Sequence, residues 1–146
     1  MWREKDITRE YQKGDIIIRE GDIGREMFII KSGAVEVMKR NDDRPILLAT
    51  LERGDFFGEM ALLENAFRTA TVIARETTSL IVLNVGSFLI KIKRDPSFAF
   101  NMMQKMSKRI RILNDKLLIK EEKGEPGPSD VNLAITKIEY LRDRDL

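Results

Sequence analysis

The 146-residue chain has no cysteine and no histidine. Without cysteine there is no disulfide framework, no thiol nucleophile and no iron–sulfur centre; without histidine the commonest general base and the commonest metal-binding imidazole are missing. Together these absences remove most enzyme classes. No apolar run approaches the roughly 20 residues that span a bilayer, and the start, Met1-Trp2-Arg3-Glu4-Lys5-Asp6, has no signal-peptide pattern. The expectation is a cytoplasmic protein with no membrane association. Excess charge is small as well: a formal net charge of +2 supplies no global drive toward nucleic acid. The composition, 42% hydrophobic and 34% charged residues, is enough to bury a core in one domain.

Glycine is sparse, yet from Tyr11 to Leu83 it recurs between short apolar runs, at Gly14, Gly21 and Gly24, Gly33, Gly54 and Gly58. That is the rhythm of a compact all-β unit. Residues 15–19, 27–31, 35–38, 46–51, 69–74 and 79–83 read as strands, with Asn41-Asp42-Asp43 as a hairpin tip. Eight or so such strands closed into a small jelly-roll β-barrel remove exposed edges and leave a mouth for a ligand. Most of these glycines are expected to be turn residues at positive φ. Gly58 is the exception, because a carboxylate and an apolar helical turn come directly after it.

The stretch from Phe57 to Val72 opens with Gly58-Glu59, passes through a short apolar segment and ends on Arg68-Thr69 leading into β-type residues. Glu59 and Arg68 are nine positions apart, too far for one helical face and close enough to flank one small pocket. Met60 to Leu63 can form about one helical turn whose first N–H groups lack internal partners and face an anion favourably. A guanidinium offers a planar fork to two phosphate oxygens, and a carboxylate accepts from a sugar hydroxyl. The implied ligand is a phosphorylated ribose.

After Leu83 the apolar period changes from two to about 3.6. Asn84 can cap a helix to about Ile92, and Asp95-Pro96 reads as a cap with proline in the first turn of a second, long helix. Met103, Met106, Ile110, Leu113 and Leu117 form a heptad stripe on it, and Lys105, Lys108, Arg109, Arg111, Lys116 and Lys120 lie on its other faces. That basic strip reads as a solvated face, with nucleic acid or an acidic partner as the alternative. Residues 121–129, rich in charge, glycine and proline, break the helix. Beyond them Val131, Ala134, Ile135, Ile138 and Leu141 share one side of an amphipathic segment capped by Asp130. The expected organisation is one domain over 1–123, including the long helix, and a linker with an amphipathic tail over 124–146.

The stretch from Gly58 to Thr69, together with Lys13-Gly14-Asp15, Glu20-Gly21-Asp22 and Ile30-Lys31-Ser32-Gly33-Ala34-Val35-Glu36-Val37, resembles the cyclic nucleotide-binding domain family at the family's own order and spacing. The resemblance runs from about Tyr11 to about Leu118. It implies a mainly β fold, an eight-stranded jelly roll with a short cassette helix, then a helix and a long C-terminal helix. It implies cyclic AMP, or cyclic GMP, as ligand and no metal. Arg68 would take the cyclic phosphate, aided by Thr69 and backbone N–H groups around Met60 and Ala61; Glu59 would accept the ribose 2′-hydroxyl, and Gly58 would allow close approach. On the long helix Leu113 and Asn114 align with positions that contact the base.

Three departures matter. Phe67 stands where a proline often precedes the arginine, so the cassette is expected to be less rigid or Phe67 to pack in the core. Little precedes the first strand, where relatives usually carry a helix or two, which points to a truncated start. No winged module follows the long helix, so direct DNA binding by this chain is not expected, and the partner would be an unknown effector protein or a missing domain. The functional expectation is a non-catalytic sensor that moves its C-terminal helix and forms a homodimer along it. The alternative is a nucleotide-independent dimerisation scaffold on the same fold, which intact Glu59 and Arg68 argue against. An enzyme on a jelly-roll frame would need a carboxylate-only metal site, and no such cluster is visible in the sequence.

Overall fold

The structure, a computed structural model, describes residues 6–122. The amphipathic segment expected from Asp130 onward lies outside the described residues. The chain divides into two units, Met1–Pro96 and Ser97–Leu146. In order, the elements of the first are β1 (Thr8–Tyr11), β2 (Ile16–Ile18), β3 (Met27–Ser32), β4 (Ala34–Asn41), β5 (Arg44–Glu52), β6 (Phe56–Phe57), α1 (Glu59–Glu64), β7 (Thr71–Ala74), β8 (Thr78–Leu83) and α2 (Val85–Arg94). The long helix α3 (Pro96–Glu122) comes next, with Pro96 in its first turn as its missing N–H favours.

The eight strands form two four-stranded antiparallel sheets, in the orders β1-β8-β3-β6 and β2-β7-β4-β5. The expected jelly roll is thus a pair of facing sheets. Ile18, Val35 and Val72 from one sheet and Phe28, Ile30, Phe57, Leu80 and Val82 from the other make one buried cluster between them. On β3 and β8 the alternate residues Met27, Ile29, Ile81 and Leu83 are buried too. Their continuous apolar runs reflect a sheet covered on both faces, for α1 packs on β3 and α2 on β8.

Helix α2 begins with a reciprocal cap: the Asn84 side chain accepts from the Ser87 N–H at 2.9 Å, and the Ser87 hydroxyl accepts from the Asn84 N–H at 2.9 Å. In α3 the stripe read from the sequence divides. Met106, Ile110, Leu113 and Leu117 are half-buried, whereas Met103 is exposed.

Two glycines show how differently a turn can depend on the residue. Gly14 and Gly33 both sit at φ 90°, in the left-handed region. Around Gly14 a Cβ would meet nothing within 4 Å, whereas at Gly33 it would lie 2.5 Å from the Thr77 carbonyl and 2.5 Å from the Thr78 hydroxyl. Thr78 cannot yield, since it is fully buried and its hydroxyl lies 3.0 Å from the Ala34 carbonyl and 2.8 Å from that of Glu76. Gly14→Ala is therefore expected to cost about 1–2 kcal/mol from backbone strain alone. Gly33→Ala adds an overpacking cost of about 1–3 kcal/mol to the same strain. Urea denaturation of the two variants measures the difference, and equal losses would refute this account of the β3–β4 turn.

Candidate functional site

Helix α1 is short because its ends are set by backbone geometry. Gly58 precedes it at φ 80° and Asn65 ends it at φ 56°, both in the left-handed region. Ala61 and Leu62 are its buried residues. Its first residue, Glu59, is half-buried, a position the helix dipole favours for a carboxylate. Four residues after α1 ends comes Arg68, buried to 9% exposure and, with Thr78, one of two polar residues in the core among those described.

Arg68 is held at both its backbone and its side chain. Its N–H donates to the Asp22 carbonyl and its carbonyl accepts from the Gly21 N–H, each at 2.8 Å. An antiparallel bridge between Ile23 and Phe67 extends this pairing. At the other end the guanidinium Nη1 donates to the carbonyls of Glu26 at 2.8 Å and Gly58 at 3.2 Å. The guanidinium carbon lies 6.0 Å from the centroid of Phe28, whose ring stacks on Phe57 at 5.1 Å. Burial lowers the guanidinium pKa, while the carboxylates of Glu26, Asp22 and Glu59 oppose that shift. A guanidinium is basic enough to stay charged despite that shift.

The seat exists only because two side chains are missing. A Cβ on Gly24 would fall 2.6 Å from Arg68 Nη2, and one on Gly58 would fall 3.0 Å from Nη1. Gly24 does not need its backbone freedom, since its φ is not positive; it is the space that matters. Arg9, Arg19, Asp22, Arg25 and Glu26 line a cleft of about 640 Å³ on this side of Arg68, and Arg9 pairs with Glu26 at 3.1 Å. On the other side, the Thr69 hydroxyl donates to the Met60 sulfur at 3.4 Å, tying the residue after the arginine to the first turn of α1.

A buried guanidinium, a carboxylate that opens a one-turn helix and a hydroxyl next to the arginine can together hold an anionic sugar phosphate. The cyclic nucleotide-binding domain family matches this chain over residues 8–95. The chain belongs to that family. It is 40% identical over 81 residues to the cAMP-dependent protein kinase regulatory subunit of Schizosaccharomyces pombe, a match that covers 56% of this chain and 19% of that one. It is 46% identical over 68 residues to human cGMP-dependent protein kinase 2, covering 45% of this chain and 9% of the kinase. Among solved structures it is similar to the catabolite activator protein of Thermus thermophilus, with a TM-score of 0.71 and 31% identity over 80% of this chain and 55% of that one. It thus spans about half the length of the bacterial protein and a fifth or less of these kinase chains.

Of the residues expected from the sequence, Gly58, Glu59, Met60, Ala61, Arg68 and Thr69 come together around α1. Leu113 and Asn114 lie on α3 in the second unit, Leu113 half-buried and Asn114 exposed. Phe67 does not pack in the core: it is 64% exposed beside Ile23, which is 80% exposed. The reason is its bridge partner, because pairing with Ile23 turns Arg68 inward and Phe67 outward by strand alternation.

Sequence reasoning read the Gly21–Gly24 segment as a turn and missed that it is a wall of the Arg68 seat. Its only signal was a second glycine, Gly24, that no tight turn required. Gly24→Val is expected to push the guanidinium from both carbonyls and to weaken cyclic nucleotide binding about tenfold or more, the loss of a hydrogen-bonded charge. Added to Arg68→Ala, the same change should cost no further affinity. Titration calorimetry of the two single variants and the double variant tests that non-additivity.

Proposed function

We propose that this domain is a non-catalytic cyclic nucleotide sensor that accepts both cyclic AMP and cyclic GMP, favours cyclic AMP by less than about a hundredfold, and signals by moving α3. The observation that carries it is Arg68, a cation held in the core by main-chain carbonyls beside the start of α1. Burying a charge is costly, and the cluster between the two sheets is otherwise apolar. In this reading Arg68 takes the cyclic phosphate with Thr69 and the N–H groups around Met60 and Ala61. Glu59 accepts the ribose 2′-hydroxyl, and Leu113 and Asn114 meet the base. Relatives named for each of the two nucleotides support a site that tolerates both.

Base selectivity rests on few groups. The Thr69 hydroxyl offers a syn guanine amino group one extra hydrogen bond, worth about 0.5–1.5 kcal/mol, or roughly two- to tenfold. Asn114, with a donor and an acceptor, suits either purine. Signalling requires the ligand to prefer one arrangement of α3, and an effector protein or a further domain, rather than DNA bound by this chain, would read it.

Calorimetric titration with both nucleotides tests the site residue by residue. Arg68→Ala should reduce affinity by two to three and a half decades, from the roughly 3–5 kcal/mol cost of breaking a buried charge pair. Glu59→Ala should cost less, about 1.5–3 kcal/mol. Thr69→Ala should lower cyclic GMP affinity by more than cyclic AMP affinity, since both lose its phosphate contact and only the guanine loses a second one. A tenfold loss or smaller for Arg68→Ala refutes the site; equal weakening of both nucleotides by Thr69→Ala refutes its part in selectivity.

We also infer a parallel homodimer along α3 from the heptad spacing of Met106, Ile110, Leu113 and Leu117. Sedimentation equilibrium at micromolar concentration is expected to show a dimer, and a monomer both with and without cyclic AMP refutes it.

A further inference from the structure

The β4–β5 hairpin brings to the site a lysine that has no part in the nucleotide contacts already assigned. On β4, Val35 and Val37 pack in the core between the sheets, and strand alternation puts Lys39 on the same inward face. Its neighbour Met38 pairs with Thr71 of β7, so Lys39 lies level with the two residues that come after Arg68. The ammonium donates to the Thr69 carbonyl at 3.0 Å. Glu20 reinforces the placement: its carboxylate accepts from the Arg40 N–H at 3.0 Å, and its own N–H donates to the Thr71 hydroxyl at 3.0 Å.

This positions the ammonium but does not satisfy it. An ammonium has three donors, and Lys39 uses one of them on Thr69. The Glu20 carboxylate is 3.7 Å away, an ion pair but beyond hydrogen-bond length. The lysine side chain is 24% exposed, so its charge is less screened than that of an open surface lysine. Thr69 meanwhile turns its carbonyl to Lys39 and its hydroxyl to Met60 at the start of α1. Lys39 thus shares a partner, Thr69, with the start of α1, where Arg68 would hold an anion.

We propose that Lys39 is a second cation of this site, donating to an oxygen of the cyclic phosphate and setting the preference for an anionic ligand. Arg68 approaches that phosphate from the β2–β3 side and Lys39 from the hairpin side. The assignment rests on the nucleotide reading of the Arg68 site, and it concerns a residue outside the stretch that the sequence marks as the cassette.

The test is titration of the full chain with cyclic AMP at about 50 mM and about 500 mM salt, for wild type, Lys39→Gln, Lys39→Arg and Arg68→Ala. Lys39→Gln should lose about tenfold in affinity at low salt, the scale of one charge-assisted hydrogen bond, and much less at high salt. Lys39→Arg, which keeps the charge, should recover most of the affinity and the salt dependence. A merely structural lysine would not give this pattern: loss of the Thr69 tether would weaken binding equally at both salt concentrations. Equal loss at both, or no loss at all, overturns the proposal. Wild type and Arg68→Ala report on the nucleotide reading independently, because binding that needs Arg68 but ignores Lys39 sinks only the second cation.

Discussion

The arrangement of this domain depends on one buried guanidinium and the carbonyls that receive it. Taking a charge out of water costs several kcal/mol unless hydrogen bonds compensate. Arg68 meets that cost with main-chain acceptors on Glu26 and Gly58, with the face of Phe28 nearby and with three carboxylates acting at longer range. Because Glu26 and Phe28 lie together at the start of β3 and Gly58 comes just before α1, the arginine joins two segments distant from each other in sequence. The Arg68 side of the domain is thus organised from its interior outward.

This explains why some parts of the fold were legible in the sequence and others were not. Six strands announced themselves by apolar runs between glycines, and α2 by Asn84 at its start, since each signal is local, whereas the short strands Thr8–Tyr11 and Phe56–Phe57 carried no such run. Glu59, Arg68 and Thr69 were legible because their spacing and chemistry sit within twelve residues of one another. The rest of the arginine's seat was not, because hydrogen bonds from Gly21, to Asp22 and to Glu26 use backbone atoms that every residue has. Gly24 carried a faint signal in its missing side chain. Lys39 carried none, as a lysine at a strand end reads as solvated until its partner thirty residues away is known.

Phe67 marks the same boundary. With proline absent from that position, two outcomes were open, a looser cassette or an aromatic in the core. The bridge to Ile23 decided it in a third way, with the ring outward and the main chain fixed by pairing. Rigidity that a pyrrolidine ring would supply locally is supplied here by a short antiparallel ladder.

The loop that grips Arg68 does so with its main chain, while the side chains of Asp22, Ile23 and Arg25 stand exposed. Such a loop is free to drift. Replacing Ile23 or Arg25 leaves the carbonyl and N–H groups that hold the arginine where they are, so mutation can rewrite the outer surface of the loop without touching its inner one. A lineage could in this way acquire new surface chemistry beside an unchanged arginine seat, with Gly21, held at positive φ, and Gly24, which leaves room for the guanidinium, as the points in the loop where drift is checked.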